Sequence, residues 1–195
     1  MRVVCIVEGD GEVAALPILL RRVAEWRTPE MYPDVPIPIR VHRDRFLNRE
    51  EEFRRHLLLA AAKCGQDGWM LVLLDADDDC PARLGANILQ RAQAIVPHQR
   101  VSVVLANREF EAWFIAAAPS LSGHRGFIFD PQDHTDPETP RDAKGWVKAR
   151  MASRSYGETT DQPGFTARMD LQQAYSRSRS FRKLCSEWDH RVAGR

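Results

Sequence analysis

At 195 residues, with 44% apolar side chains and 28 Lys plus Arg almost balancing 27 Asp plus Glu, the chain has the material for one cored domain. No apolar run approaches the roughly 18 residues of a membrane span, and the N-terminus opens straight into a strand-like run without the order of a signal peptide, so a cytoplasmic protein is expected. Cys5, Cys64, Cys80 and Cys185 lie far apart with no CxxC pair and no histidine at ligand spacing, which argues against a zinc motif or a disulfide framework.

Residues 2–8 form a short run rich in Val and Ile, as in a parallel strand covered on both faces. It runs into Glu8-Gly9-Asp10-Gly11-Glu12, where the glycines permit a tight reversal and Glu12 enters the first turn of a helix over Glu12–Trp26. An acid in a first turn suits the helix dipole and needs no other task. Glu8 differs, because an acid ending a buried strand lies near low-dielectric surroundings and needs a partner. A phosphate-cradling loop fits poorly, since the stretch lacks the P-loop lysine and sets carboxylates where phosphate would lie.

Pro29, Pro33, Pro36 and Pro38 mark a loop, followed by a second strand over Ile37–Val41 and a helix over Glu50–Lys63. A third apolar strand, Trp69–Leu74, leads into Asp75-Ala76-Asp77-Asp78-Asp79. If extended geometry persists for two more residues, Asp75 and Asp77 point the same way. Such a pair repels itself when empty, and its natural occupant is a hard divalent ion such as Mg²⁺. Asp78 and Asp79, just before Pro81, suit the N-cap of a helix over Ala82–Ile95.

Val101–Ala106 is a fourth strand, followed by a helix from about Arg108 to Ala117 whose apolar stripe of Phe110, Trp113 and Phe114 is flanked by Glu109 and Glu111. These glutamates suit a helix start, or they bring a third strand end to one acidic crevice. Past Pro119 the pattern weakens into a loop over 130–140 and helices over 141–152, 166–176 and 178–189. The last helix presents Arg179, Arg182 and Lys183 at i, i+3 and i+4, suited to a nucleic-acid backbone or an acidic partner. Charge follows this division, with 12 Lys or Arg against 6 Asp or Glu over 141–195 and 16 against 21 before it. The alternation predicts an α/β fold: an open, mostly parallel sheet flanked by helices over 1–118, with 119–195 a loop and helical appendage packed on the same domain.

A strand ending in Glu8-Gly9 and a later one ending in Asp75-Ala76-Asp77 resemble the Toprim domain of topoisomerases, primases and OLD-type nucleases, and Glu8-Gly9-Asp10-Gly11-Glu12 is most similar to the OLD branch. Asn107–Phe114, NREFEAWF, resembles the motif of RloB and DUF4276 proteins, and Tyr156, Asp161-Gln162, Met169-Asp170 and Ser180–Leu184 resemble the DUF4276 tail. The chain thus resembles a Toprim-like protein of the DUF4276 type over most of its length.

That resemblance implies a Toprim/Rossmann-like fold and hydrolysis of phosphodiester bonds in DNA or RNA with Mg²⁺ or Mn²⁺. By similarity Glu8, Glu12, Asp75, Asp77 and Glu111 match acidic catalytic and metal-binding positions. Developing charge on phosphorus needs a cation, sought among Lys144, Arg179 and Lys183. The implied setting is bacterial defence against phage beside an ABC- or AAA-type ATPase, a separate polypeptide because these residues contain no Walker A motif. A homodimer stays open. The rival reading is a regulatory or adaptor subunit whose acidic site retains Mg²⁺ for structure alone.

Overall fold

A computed structural model describes residues 1–152 and 155–193. Its strands are β1 (Val3–Val7), β2 (Ile39–Arg40), β3 (Trp69–Asp75) and β4 (Arg100–Ala106), all parallel, in the order β2-β1-β3-β4. β1, and β3 up to Leu74, are apolar because both of their faces are covered. Val3, Cys5, Val7, Trp69, Leu71 and Leu73 enter one core, while Val4, Ile6, Met70, Val72 and Leu74 enter the other.

α1 (Asp10–Arg27) lies on the first face through Leu16, Leu19, Leu20 and Val23. The second is covered by α3 (Glu50–Cys64) and α4 (Pro81–Ile95), through Phe53, Leu57, Ile88 and Ala92. Between β2 and α3 lies α2 (Arg43–Asn48), a short helix whose weak apolar pattern left it unforeseen. The strand order reverses beside β1: α1 leads to β2 on one side, and the chain returns through α3 to β3 on the other. The loops leaving β1 and β3 diverge onto opposite faces, which opens a crevice at their carboxyl ends.

The rest of the chain comprises α5 (Ala112–Ala116), α6 (Ala118–Leu121), α7 (Ala143–Lys148), α8 (Glu158–Thr166), α9 (Leu171–Arg177) and α10 (Arg179–Ala193). These helices complete the first core: Phe165, Phe181, Leu184 and Trp188 are fully buried in it, and the Trp188 ring meets Trp69 edge-on at 6.0 Å. Each such side chain contributes about 1.5–3 kcal/mol by leaving water. The helix expected over 166–176 meets only the last residue of α8, and after a break at 167–170 it coincides with α9 as the second helix of the pair. Asp170 starts the second helix by accepting from Gln172 N and Gln173 N at 2.8 and 3.0 Å. The helix expected from Arg108 begins only at Ala112, since Arg108 takes a left-handed turn at φ 70°. Among the described residues no helix is long and apolar enough to cross a membrane.

Candidate active site

A cavity of about 480 Å³ opens at the switch point, lined by Glu8, Glu12, Asp75 and Asp77 together with Arg40, His42, Arg43, Lys144 and Glu158. Glu8 leaves the end of β1 and turns into it. Glu8 Oε2 is buried and has no hydrogen-bond partner among the described residues. Burial, then the charges of Asp77, Glu12 and Asp44, push its carboxyl up to about 7, with Arg43 pulling the other way.

The glycines of the opening motif provide room rather than a reversal. Neither has a positive φ. A β-carbon at Gly9 would stand 2.3 Å from Glu12 Oε2, and one at Gly11 would stand 1.6 Å from Gln162 Oε1. Glu12 therefore folds back to accept from Gly9 N at 2.6 Å, as an acid at the third helical position does, and its other oxygen accepts from Gln162 Nε2 at 2.8 Å. Both of its oxygens are taken, so acting as a ligand would cost Glu12 these bonds.

Asp75 and Asp77 share the cavity but not one extended strand. β3 stops at Asp75, and Asp77 is left-handed at φ 49° with its amide donating to the Arg108 carbonyl at 3.0 Å. Asp75 Oδ1 accepts from Phe110 N at 2.9 Å, and burial followed by the charges of Glu12, Glu111 and Glu8 holds its carboxyl well above the usual range. Asp77 faces Arg43 at 3.4 Å. Neither Asp78 nor Asp79 caps α4, whose N-cap is Cys80; Asp78 pairs with Arg108 at 2.8 Å and Asp79 with Arg43 at 2.6 Å.

Arg43 was not foreseen. Its side chain is only 12% exposed, and it ties α2 to the end of β3 by donating to the Asp75 carbonyl at 3.1 Å. The available signal was the basic run Arg40, Arg43 and Arg45 at a strand's carboxyl end, which carries no apolar periodicity.

Glu111 lies behind the cavity, 1% exposed, and accepts from the Tyr156 hydroxyl at 3.0 Å. Burial raises its carboxyl to about 7 against the pull of the nearby Lys144. Lys144 lines the cavity and pairs with Glu158 at 3.1 Å; burial works against its charge, but Glu111, Glu158 and Glu109 raise its ammonium above the ordinary lysine value. Glu109 fixes the start of α7, accepting from Lys144 N at 2.7 Å.

The tail cations do not reach this cavity. Arg179 and Lys183 line a separate groove beside β4, so Lys183 stands apart from the acidic site it was expected to serve. Arg182 does not join them: it turns back to donate to the Tyr175 and Ser176 carbonyls at 2.8 and 3.0 Å, closing the end of α9.

Comparison with known proteins gives this chain a family. A family model described as a domain of unknown function, DUF4276, matches residues 7–188, from the end of β1 into α10. The chain belongs to the DUF4276 family. No curated protein and no solved structure matches it. The DUF4276 match thus takes in Glu8, Asp75, Asp77, Glu111 and Lys144, and also Tyr156 and Gln162, which hold Glu111 and Glu12 in place.

Hard carboxylate oxygens around the unpartnered Glu8 Oε2 suit a divalent cation of the Mg²⁺ type. Among the described residues no three Asp, Glu, His or Cys groups are drawn together closely enough to hold an ion as they lie. Glu12, Asp75 and Glu111 each take hydrogen bonds from the protein instead, which keeps mutually repelling groups apart. The residues that would hold an ion are Glu8, Asp75 and Asp77.

Proposed function

We propose that this chain is a nuclease of the Toprim type that hydrolyses phosphodiester bonds of DNA or RNA with Mg²⁺ or Mn²⁺. The observation that carries the reading is Glu8, whose buried Oε2 lacks a protein donor among the described residues, in a cavity also lined by Asp75, Asp77, Arg43 and Lys144. A structural carboxylate at such a place would have a donor.

Bound metal would supply an acidified water and a Lewis acid for the phosphate. Glu8 and Asp77 line the cavity with carboxyl groups, and Asp75 is oriented from behind by Phe110 N. Lys144 is kept protonated by its glutamate neighbours and Arg43 is anchored to the β3 carbonyl, so both offer fixed positive charge to a phosphate whose negative charge grows during attack. Arg40 and Arg45 extend that positive rim toward a nucleic-acid backbone.

The resemblance to OLD- and RloB-type proteins supports a role as effector in bacterial defence against phage, working with a separate ABC- or AAA-type ATPase in the cytoplasm. The test is cleavage of plasmid, single-stranded DNA and tRNA in Mg²⁺ or Mn²⁺, with and without the product of a neighbouring ATPase gene. Metal-dependent cleavage that Glu8→Gln abolishes is expected. No cleavage of any substrate with the ATPase present would overturn the nuclease reading.

The engagement of both Glu12 oxygens favours a second reading, a regulatory or adaptor subunit that binds metal without turnover. It requires metal-dependent stabilisation with no cleavage under any of these conditions.

A further inference from the structure

β4 is an edge strand whose outer side is only partly sealed. The Ala106 carbonyl points inward, accepting from Ala76 N at 2.9 Å, so Val101, Val103 and Leu105 direct their main-chain groups outward. At the start of the strand α10 closes this edge: Arg191 donates to the Val101 carbonyl at 2.7 Å, and Ser102 Oγ donates to Glu187 Oε2 at 2.5 Å. Farther along, among the described residues, no hydrogen bond from another element reaches the main chain of Val103 or Leu105. These two residues form the floor of a groove of about 610 Å³ that runs between α4 and α10 to Asn107.

The two walls differ in chemistry. α4 contributes Ala82, Gly85, Ala86 and Leu89. α10 contributes Arg179 and Lys183, 83% and 56% exposed, each above a sunken acid: Arg179 faces Glu138 at 3.6 Å and Lys183 pairs with Glu187 at 2.5 Å, while Glu138 also accepts from Ser178 and Ser180 and Glu187 from Ser102. The accessible charge is positive.

We propose that this groove receives an extended acidic segment of a protein partner, which adds to β4 as a fifth strand. Paired outward donors and acceptors at Val103 and Leu105 match the main chain of a strand, which is how an open sheet edge binds peptide. Because side chains alternate along a strand, the partner's apolar residues turn to α4 and its acidic residues to Arg179 and Lys183. A nucleic acid fits less well, since no aromatic side chain lines the groove to stack a base. A second copy of the chain fits less well too, since its own groove offers Arg179 and Lys183 again in place of acidic residues.

Cys80 lines the mouth of the groove and is exposed, while Cys5, Cys64 and Cys185 are buried, so alkylation reports on the groove. The probes are synthetic peptides of about eight residues, a common strand length. One alternates valine and glutamate, a second replaces glutamate by lysine, and a third keeps the first composition in two blocks. On the full chain, only the alternating glutamate peptide is expected to bind and to slow Cys80 alkylation. Methylating alternate amide nitrogens of that peptide in one register should abolish binding, because those donors face β4, while the other register should keep it. Arg179→Glu should weaken the glutamate peptide by about threefold to tenfold and strengthen the lysine peptide. Equal binding in both methylated registers would overturn the proposal, as would unchanged alkylation with every peptide. Protection of Cys80 by an oligonucleotide, or by dimerisation in solution, in place of the glutamate peptide would overturn it equally.

Discussion

Glu12 and Gln162 lie 150 positions apart and are joined by a 2.8 Å hydrogen bond from Gln162 Nε2 to Glu12 Oε1. That bond docks α8 on the first turn of α1 and commits the second glutamate of the opening motif to holding the site's wall. It depends on position 11 having no side chain, since a β-carbon there would overlap Gln162.

Gly11→Ala is therefore expected to destabilise the fold by about 1–3 kcal/mol in urea denaturation. The same change at an ordinary helical position stabilises by up to about 1 kcal/mol, so the sign is diagnostic. In a Gln162→Ala background the loss should shrink toward that of the remaining 3.2 Å contact with the Glu158 carbonyl. A neutral Gly11→Ala with Gln162 intact would show that close approach is not what this glycine serves.

Metal should stabilise the folded chain through the carboxylates around Glu8. A ligand at 100 times its dissociation constant adds about 2.7 kcal/mol. Asp75→Asn with Asp77→Asn should remove that gain. The first of these changes leaves a side-chain oxygen that still accepts from Phe110 N, so the metal-free fold survives. Thermal melts with and without Mg²⁺ or Mn²⁺ measure it, and an undiminished rise in the double variant would place the ions elsewhere.

Stability without metal should fall as pH rises toward neutrality and beyond. Glu8 and Glu111 are pushed to about 7, in both cases chiefly by burial, from an ordinary value of 4.5. Over that interval the folded chain binds more protons than the unfolded one, so their contribution is full below about pH 4.5 and lost as pH climbs through about 7. Asp133, held down at about 2 by the Thr135 hydroxyl and amide, loses its contribution only in strong acid and leaves this window clear. Melting temperatures across the window should decline, Glu8→Gln with Glu111→Gln should flatten the decline, and Mg²⁺ should flatten it by favouring the ionised forms. A rise in metal-free stability across the same window would contradict this electrostatic account.

Chemistry and tail charge should separate in mutants. Glu8→Gln keeps the size of the side chain but removes a charge aimed into the cavity, so cleavage should drop at least about a hundredfold while nucleic-acid retention persists. Arg179→Ala with Lys183→Ala, in the groove beside β4, should leave cleavage and the salt dependence of nucleic-acid binding unchanged. A salt slope shallower by about 1–2 units would instead mean that these two side chains contact phosphates.

Much of the architecture was legible in the sequence because its causes are local. Val3–Val7 and Trp69–Leu74 are unbroken apolar runs of strand length, and such runs between helical patterns dictate a parallel sheet covered on both faces. Acids placed directly after those runs, Glu8 and Asp75, must emerge at the carboxyl edge whatever the rest of the chain does. The pairings across that edge have no local cause. Asp77 departs from the strand through a left-handed turn held by Arg108. Arg43 arrives on a short helix without apolar periodicity, and Lys144 and Tyr156 come from beyond a proline-rich loop. Which carboxylate keeps a free oxygen and which spends both on the protein is a matter of three-dimensional neighbours, so the tertiary structure alone separates Glu8 from Glu12.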